Sequence, residues 1–446
     1  MSNSNDFKQC FLRNLPFSVK KQLSVIPHAL RLGMPYVRSG ADMRRHEGLD
    51  DVALELYITD KLRWILNNAV KNITFYRDFY RQKGFNTNDF RSLEDWRHVP
   101  IITKADLIDI PISRRTANDL NGVEVNTGGT SGAPLAFRVD SGALGREWAH
   151  MHSIWFAKGY RPKHLKLRFT GKYFDSEQAL YYHPSFNEYI VNANSSMADV
   201  AIALANLPIK NMPRWIHGYP SLIAEFAHTI NSEYPQIVKV LKTHLYGVLL
   251  GSEYPAPVYR DAINEILTTN IVSWYGHSEM AILAKETSPN VYESLGSYGY
   301  AEAISCDADE SHRLICTSFH NAIHPFIRYD TGDLIKPLSL LRGSLKFQIL
   351  EGRIGDFILD LNGRKLALTS IIFGRHHAAF KSLRHLQVRQ VAPGVICLLI
   401  VPLSGAIVKA DILEGFDFEG LNVEWRVEIV DKPIRTKIGK IQLKVA

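Results

Sequence analysis

Apolar residues recur at Leu54, Ile58, Leu62, Ile65 and Ala69, a spacing that predicts an amphipathic helix over about residues 51–71. Phe75, Phe79 and Tyr80 continue the helical period in a second helix that Gly84 closes. Pro100-Ile-Ile-Thr103-Lys-Ala-Asp106 then reads as an extended piece running into a capped helix start. Between 120 and 140 the period changes to two. Val123 and Val125 alternate before a glycine-rich loop, and Leu135, Phe137 and Val139 alternate after it, which gives strand, loop, strand.

Residues 245–250 form a short apolar run that ends at Gly251-Ser252-Glu253. A helical stretch with Val258, Ala262, Ile263, Ile266 and Leu267 follows, and then Ile271-Val-Ser-Trp-Tyr275 runs into Gly276-His-Ser-Glu279. Strand, helix, strand predicts a parallel α/β unit, and ligands of such units bind beyond the carboxyl ends of the strands. After Gly352-Arg353 the pattern shifts to short strands and turns. Asn362-Gly363 is a hairpin signal, and Val423, Trp425, Val427 and Ile429 alternate near the end. These patterns place a domain boundary at 353–354. Residues 1–353 form a large domain opened by a basic helical arm over 1–50, and 354–446 form a small α+β domain.

A chain of 446 residues with 46% hydrophobic and 22% charged residues has an ordinary globular composition without repeats. The net charge of +7 suits a handler of polyanions such as nucleotides but does not by itself separate these from nucleic acid or membrane. No nucleic-acid motif is present, and the basic arm allows at most peripheral membrane contact. Cys10, Cys306, Cys316 and Cys397 have no CxxC spacing, so they read as small buried hydrophobes rather than disulfide or metal ligands. The polar N-terminus and the lack of a long apolar run point to a cytoplasmic protein.

Four local patterns carry chemistry. Thr127-Gly128-Gly129-Thr130-Ser131-Gly132-Ala-Pro134 offers backbone N–H groups and hydroxyls to phosphate oxygens, although a Thr/Ser/Gly hairpin is also common turn chemistry. It lacks the Gly-Lys-Ser/Thr of a P-loop and feeds a strand, not a helix. Asp333 in Arg328-Tyr-Asp-Thr-Gly-Asp333 suits a ribose diol, or a turn. Glu279 after Tyr275-Gly276-His-Ser278 is a hard oxygen ligand at a strand end, suited to Mg²⁺ on phosphates. Tyr275 suits stacking on a base or core packing, and His277 reads as structural. Lys440 in Arg435-Thr-Lys-Ile-Gly-Lys440 reads either as a solvated charge or as a cation held near an α-phosphate.

In their order along the chain these blocks resemble the adenylate-forming superfamily, in its phenylacetate–CoA ligase-like branch. Within that branch they are most similar to the adenylate-forming proteins of capsular polysaccharide biosynthesis. The matching blocks are Val99 to Leu107, Thr127 to Pro134, Gly251 to Glu253, Tyr275 to Glu279, Arg328 to Asp333, Gly352-Arg353 with Asp356, and Arg435 to Lys440. The resemblance spans about residues 50–446 and implies an α/β fold with mixed and parallel sheets, whose C-terminal domain is mobile.

It also implies the roles. Thr127 to Gly132 would hold the β- and γ-phosphates. Ser252 and Glu253 would line the adenine pocket, and Tyr275, followed by Gly276, would stack on the base. Ser278 would approach the α-phosphate, Glu279 would bind Mg²⁺, and Asp333 and Arg353 would hold the ribose. Lys440 would bridge the acid and the α-phosphate. ATP and Mg²⁺ are the implied cofactors, and the acceptor is CoA or another thiol, or an amine. Oligomeric state is left open. For the acid, the resemblance points to His217 and Tyr219, which also suit core packing, to the stretch after Glu279, and to the stretch near 168–196, where Asn192, Asn194 and Ser195 form a polar cluster that also suits a loop.

Two departures stand out. Leu135 occupies the place of a superfamily lysine, which this branch commonly lacks. Gly355 stands where an acidic hinge residue is usual, beside Asp356, and this puts a standard rotation between two half-reactions in question. A non-catalytic binding relative is the third reading, and intact Glu279, Asp333, Arg353 and Lys440 argue against it.

Overall fold

A computed structural model describes residues 17–445 apart from 25, 118–121, 127–134, 171–176, 194, 307–310, 352–356, 364, 369–370, 373–376, 378, 380–382, 403–413, 420 and 436–440. The chain forms two compact units. One comprises Leu32–Ile154 and Trp274–Arg375, and the other Met1–Arg31, Trp155–Ser273 and His376–Ala446.

In the first unit the expected helix runs over Asp51–Asn72. Asp50 caps it by accepting from the Ala53 N–H at 2.8 Å, and Leu54, Ile58, Leu62, Ile65, Leu66 and Ala69 form its buried stripe. The second helix, Thr74–Gln82, buries Phe75, Tyr76, Phe79 and Tyr80, and Gly84 follows in the left-handed region at φ 67°. Thr103 and Asp106 close a capping box at the start of Lys104–Ile108. These helices pack on an antiparallel sheet ordered Gly299–Ser305, His312–Ser318, Tyr329–Leu341, Ser344–Glu351, Val291–Ser294, Leu283–Ser288. Residues 274–276 pair with its last strand.

One buried side chain ties this sheet to the segment before the capping box. Arg328 pairs with Glu302 at 2.8 Å and donates to the carbonyls of Arg97 and Val99. Beside it, Ile102 forms a bridge to Tyr329. The strands Val123–Asn126 and Ala136–Val139 pair antiparallel as expected, and their connecting loop lies outside the described residues. The Asn362-Gly363 hairpin joins Phe357–Leu359 to Lys365–Ala367, with Gly363 at φ 75°.

The second unit holds the parallel core. Lys166–Phe169, Glu188–Val191, Trp215–Gly218 and Gly247–Leu250 are parallel, and Asn270–Ser273 pairs parallel with the last of these. The helix Pro257–Leu267 makes the crossover between the last two strands, as its apolar period predicts. Leu180–His183 joins the other side antiparallel. Gly218 has φ 149°, and a Cβ there would lie 2.1 Å from the Phe169 carbonyl oxygen, so only glycine lets the two strand ends approach.

The C-terminal sheet of this unit is ordered Glu424–Ile429, Val395–Pro402, Leu383–Ala392, Lys444–Val445. Cys316 and Cys397 are buried, Cys306 is half-buried, and all three are free thiols; Cys10 lies outside the described residues. Among the described residues no helix is long and apolar enough to cross a membrane.

Candidate active site

In the first unit, Tyr275, His277, Glu279 and Asp333 come together around the end of the strand Asn270–Gly276. The Tyr275 hydroxyl donates to the Asp333 carboxylate, and its ring meets Phe347 edge-on at 5.7 Å. Burial, and then the Asp333 charge, hold the Tyr275 hydroxyl well above its ordinary pKa, so it stays a donor. Asp333 is 5% exposed, and its backbone N–H donates to Thr331 Oγ1 at 3.2 Å. The Thr-Gly-Asp sequence, whose chemistry also suits a turn, lies instead within the strand Tyr329–Leu341, where Gly332 takes φ 78° at an irregular register with His312–Ser318, and from this strand Asp333 meets Tyr275.

Glu279 is also buried. Its Oε1 accepts from the Tyr329 hydroxyl at 3.4 Å, and its Oε2 lies 3.2 Å from His277 Nδ1. His277, which the sequence suggests is structural, thus touches the expected metal ligand. A further buried carboxyl, Glu147, accepts from Tyr298 and lies in electrostatic reach of His277; burial raises its pKa. Nothing in the sequence around Glu147 marks it out.

No group of three or more His, Cys, Asp or Glu among the described residues could hold a metal ion. Glu279 alone meets the need of a Mg²⁺ that is shared with nucleotide phosphates, which takes one or two carboxylates and keeps several waters. The donor fits that ion. Ser278 sits between His277 and Glu279 in the chain, just past the strand end.

In the second unit, Ser252 follows the strand Gly247–Leu250 in the left-handed region at φ 69° and is exposed. The neighbouring Glu253 is a junction. Its Oε2 accepts from the Ser221 hydroxyl at 2.7 Å and from the Ser221 N–H at 3.3 Å, and its Oε1 accepts from the Ile441 N–H at 3.0 Å. The residue that follows Lys440 is thereby fixed to the Gly251-Ser-Glu253 motif, across 188 positions of sequence.

Two more side chains hold the flanks of this tail. Arg435 pairs with Glu225, which His385 also meets at 3.4 Å. Gln387, 1% exposed, accepts from the Ile434 N–H at 2.7 Å and donates to the carbonyls of Ile434 and Gln442 at 2.9 and 2.8 Å. Arg435 forms an antiparallel bridge with Ile441. Lys440 itself lies outside the described residues, as do Thr127 to Gly132, Arg353, Gly355, Asp356 and Asn194.

His217 is buried with its ring 5.0 Å from Trp155. Burial first, and then Arg168 and Lys166, hold its pKa well below the ordinary value, so it is neutral. Tyr219 stands at the N-cap of the helix Pro220–Glu233. Asn192 is buried and donates to the Gln178 carbonyl at 3.5 Å.

No family model matches the chain. The phenylacetate-coenzyme A ligase of Escherichia coli (strain K12) is 39% identical over 56 residues, and the chain spans only 13% of that relative's length. Solved structures match far more of it. A 2-hydroxyisobutyryl-CoA ligase, in its postadenylation state with an acyl-AMP, superposes with a TM-score of 0.66 at 18% identity, over 88% of this chain and 89% of that one. A GH3.15 acyl acid amido synthetase superposes at 0.56 and 11% identity, over 84% and 86%. The fold is that of the adenylate-forming ligases.

Proposed function

We propose that this chain is an AMP-forming ligase that activates a carboxylic acid with ATP. An oxygen of the acid attacks the α-phosphorus, pyrophosphate leaves, and the acyl-adenylate passes its acyl group to an acceptor thiol or amine. The observation that carries this reading is the bond from the Ile441 N–H to Glu253, which fixes the residue next to Lys440 at the motif expected to face adenine. An in-line displacement with so good a leaving group needs positioning and charge neutralisation rather than a protein nucleophile. A lysine beside the α-phosphate would supply the second of these.

The roles divide by unit. Asp333, oriented by Tyr275, takes the ribose, and Arg353 joins it. Glu279 holds Mg²⁺, which neutralises the phosphate charge when bound, and Thr127 to Gly132 hold the outer phosphates. Ser252 and Glu253 line the adenine side, and Lys440 takes the acid and the α-phosphate. The domain limits 1–353 and 354–446, with Gly355 and Asp356 as the hinge, belong to the same reading. So does a cytoplasmic place, where ATP is supplied. The resemblance adds that the product enters surface-polysaccharide assembly.

The test is pyrophosphate release from Mg-ATP over a panel of carboxylic acids, amino acids and sugar acids, with hydroxylamine to trap the adenylate. Acid-dependent release is the expected result, and release that ignores every acid would overturn the reading. Repeating the assay with CoA, and then with amines, identifies the acceptor: a CoA-dependent thioester marks an acid–thiol ligase, and an amide an acid–amine ligase.

A further inference from the structure

A cluster of charges lies on one face of the parallel strands of the second unit. Lys166 pairs in register with Glu188, and Arg168 with His217. Side chains two apart on a strand share a face, so Lys166 and Arg168 rise in line towards the carboxyl end, and Arg168 stands one residue from it. Lys166 is completely buried. Its Nζ lies 3.5 Å from Glu188 Oε2, donates to the Tyr160 hydroxyl at 3.0 Å and to the Phe186 carbonyl at 3.2 Å, and sits over the Trp155 and Tyr160 rings.

Glu188 is equally buried and accepts from Arg168 Nη1 at 3.0 Å. Burial alone would raise its pKa, but Lys166 and Arg168 outweigh it and bring it down to about 2. The carboxylate is therefore ionised, and the trio of Lys166, Glu188 and Arg168 carries one net positive charge. Lys166 is engaged inside the core by two hydrogen bonds, to Tyr160 and Phe186, and by the Glu188 charge. Arg168 differs. It makes one bond, to Glu188, with the rest of its five-donor fork unspent among the described residues, and its side chain is 24% exposed.

If the cluster served only to hold the fold, Lys166 and Glu188 would complete it, and a second cation would add an uncompensated charge to a mostly buried site. A cation placed there at the carboxyl end of a parallel strand, beside the neutral His217 and the Trp155 ring, suits an anionic ligand. The planar guanidinium fork matches a carboxylate or a phosphate group.

We propose that Arg168 is the specificity-determining residue of the acid site, and that the acid it selects carries a second anionic group besides the carboxylate that is activated. The assignment of this site to the acid rests on the ligase reading above. The second charge rests on the cluster itself. The activated carboxylate is consumed in the displacement, and the second anionic group stays on Arg168 and leaves the chemistry unchanged.

The test is calorimetric titration of the full chain, without ATP, using butyrate, succinate and 3-phosphoglycerate, on wild type, R168M and R168K. The wild type is expected to bind at least one of the acids with a second anionic group about tenfold or more tightly than butyrate. In R168M that advantage should fall to within about threefold while butyrate binding holds, and R168K should recover part of it, as a point charge without the fork. Equal binding of butyrate and both acids with a second anionic group, failure of both of these acids to bind, or an advantage that survives in R168M would overturn the inference. If R168M does not fold, the wild-type preference and its reduction in R168K decide the matter. Pyrophosphate release with the same acids is read separately: binding of such an acid without release would sink the ligase reading and leave Arg168 as an anion-selecting residue.

Discussion

Tyr275 donates its hydroxyl to Asp333, and the two are 58 positions apart in sequence. The tyrosine therefore positions the carboxylate expected on the ribose, whatever its ring does for the base. Burial keeps its proton in place at any physiological pH.

Removing that hydroxyl should loosen Asp333 without deleting it. Tyr275→Phe is expected to weaken ATP binding about tenfold, and Asp333→Ala about a hundredfold, as the loss of one charge-assisted hydrogen bond and of several. Equilibrium titration with ATP measures both. An unchanged affinity in Asp333→Ala would take that residue out of the nucleotide site.

Glu253 offers a sharper comparison, because on the proposed reading its hold on Ile441 acts on the segment that carries Lys440. Lys440→Ala should slow adenylation by orders of magnitude while ATP still binds. Glu253→Ala should reproduce part of that loss, and at saturating ATP, where its part on the adenine side is offset, the double variant should be no slower than Lys440→Ala alone. Multiplicative losses in a single-turnover assay would separate the two residues.

The charged cluster makes a prediction about stability. Glu188→Gln leaves Lys166 buried without its counter-charge and should cost about 3–5 kcal/mol in denaturant unfolding. The pH dependence has a definite sign. The folded-state pKa of Glu188 lies near 2, below the ordinary value of 4.5, so its contribution is present above the ordinary value and is lost as pH falls from there through about 2. That part of the acid-induced loss should be missing in the glutamine variant.

Gly218→Ala tests the approach of the two strand ends. The added methyl would meet the Phe169 carbonyl at 2.1 Å, a contact with backbone that no rotamer relieves. The variant should be strongly destabilised or fail to fold, as melting temperature and soluble yield would report.

Much of this architecture is legible in the sequence because it depends on short-range period. The stripe from Leu54 to Ala69, the Thr103 capping box and the strand–helix–strand from 247 to 276 are each written in neighbouring residues. What the sequence does not show is which distant groups meet. Nothing near Glu253 announces Ile441, and nothing near Asp333 announces the Tyr275 hydroxyl. Lys166-Leu-Arg168-Phe169 reads as a strand with two cations, and only the fold reveals that both faces are covered, with Lys166 fully buried and Arg168 half-buried. The signal available was the presence of charges in a strand of a parallel sheet, whose strands are usually apolar on both faces.

The Gln387 amide has a consequence for how freely the tail can change. A single buried side chain holds Ile434 and Gln442, so the two ends of the segment carrying Lys440 are brought together from outside that segment. Closing a loop costs entropy that the loop's own residues would otherwise have to offset through their preferences. Here a strand of the C-terminal sheet supplies the closure, and the Arg435–Glu225 pair and the Ile441–Glu253 bond lie just inside its two anchor points. Gln387 itself therefore has little freedom to vary, since one amide serves both ends of the segment.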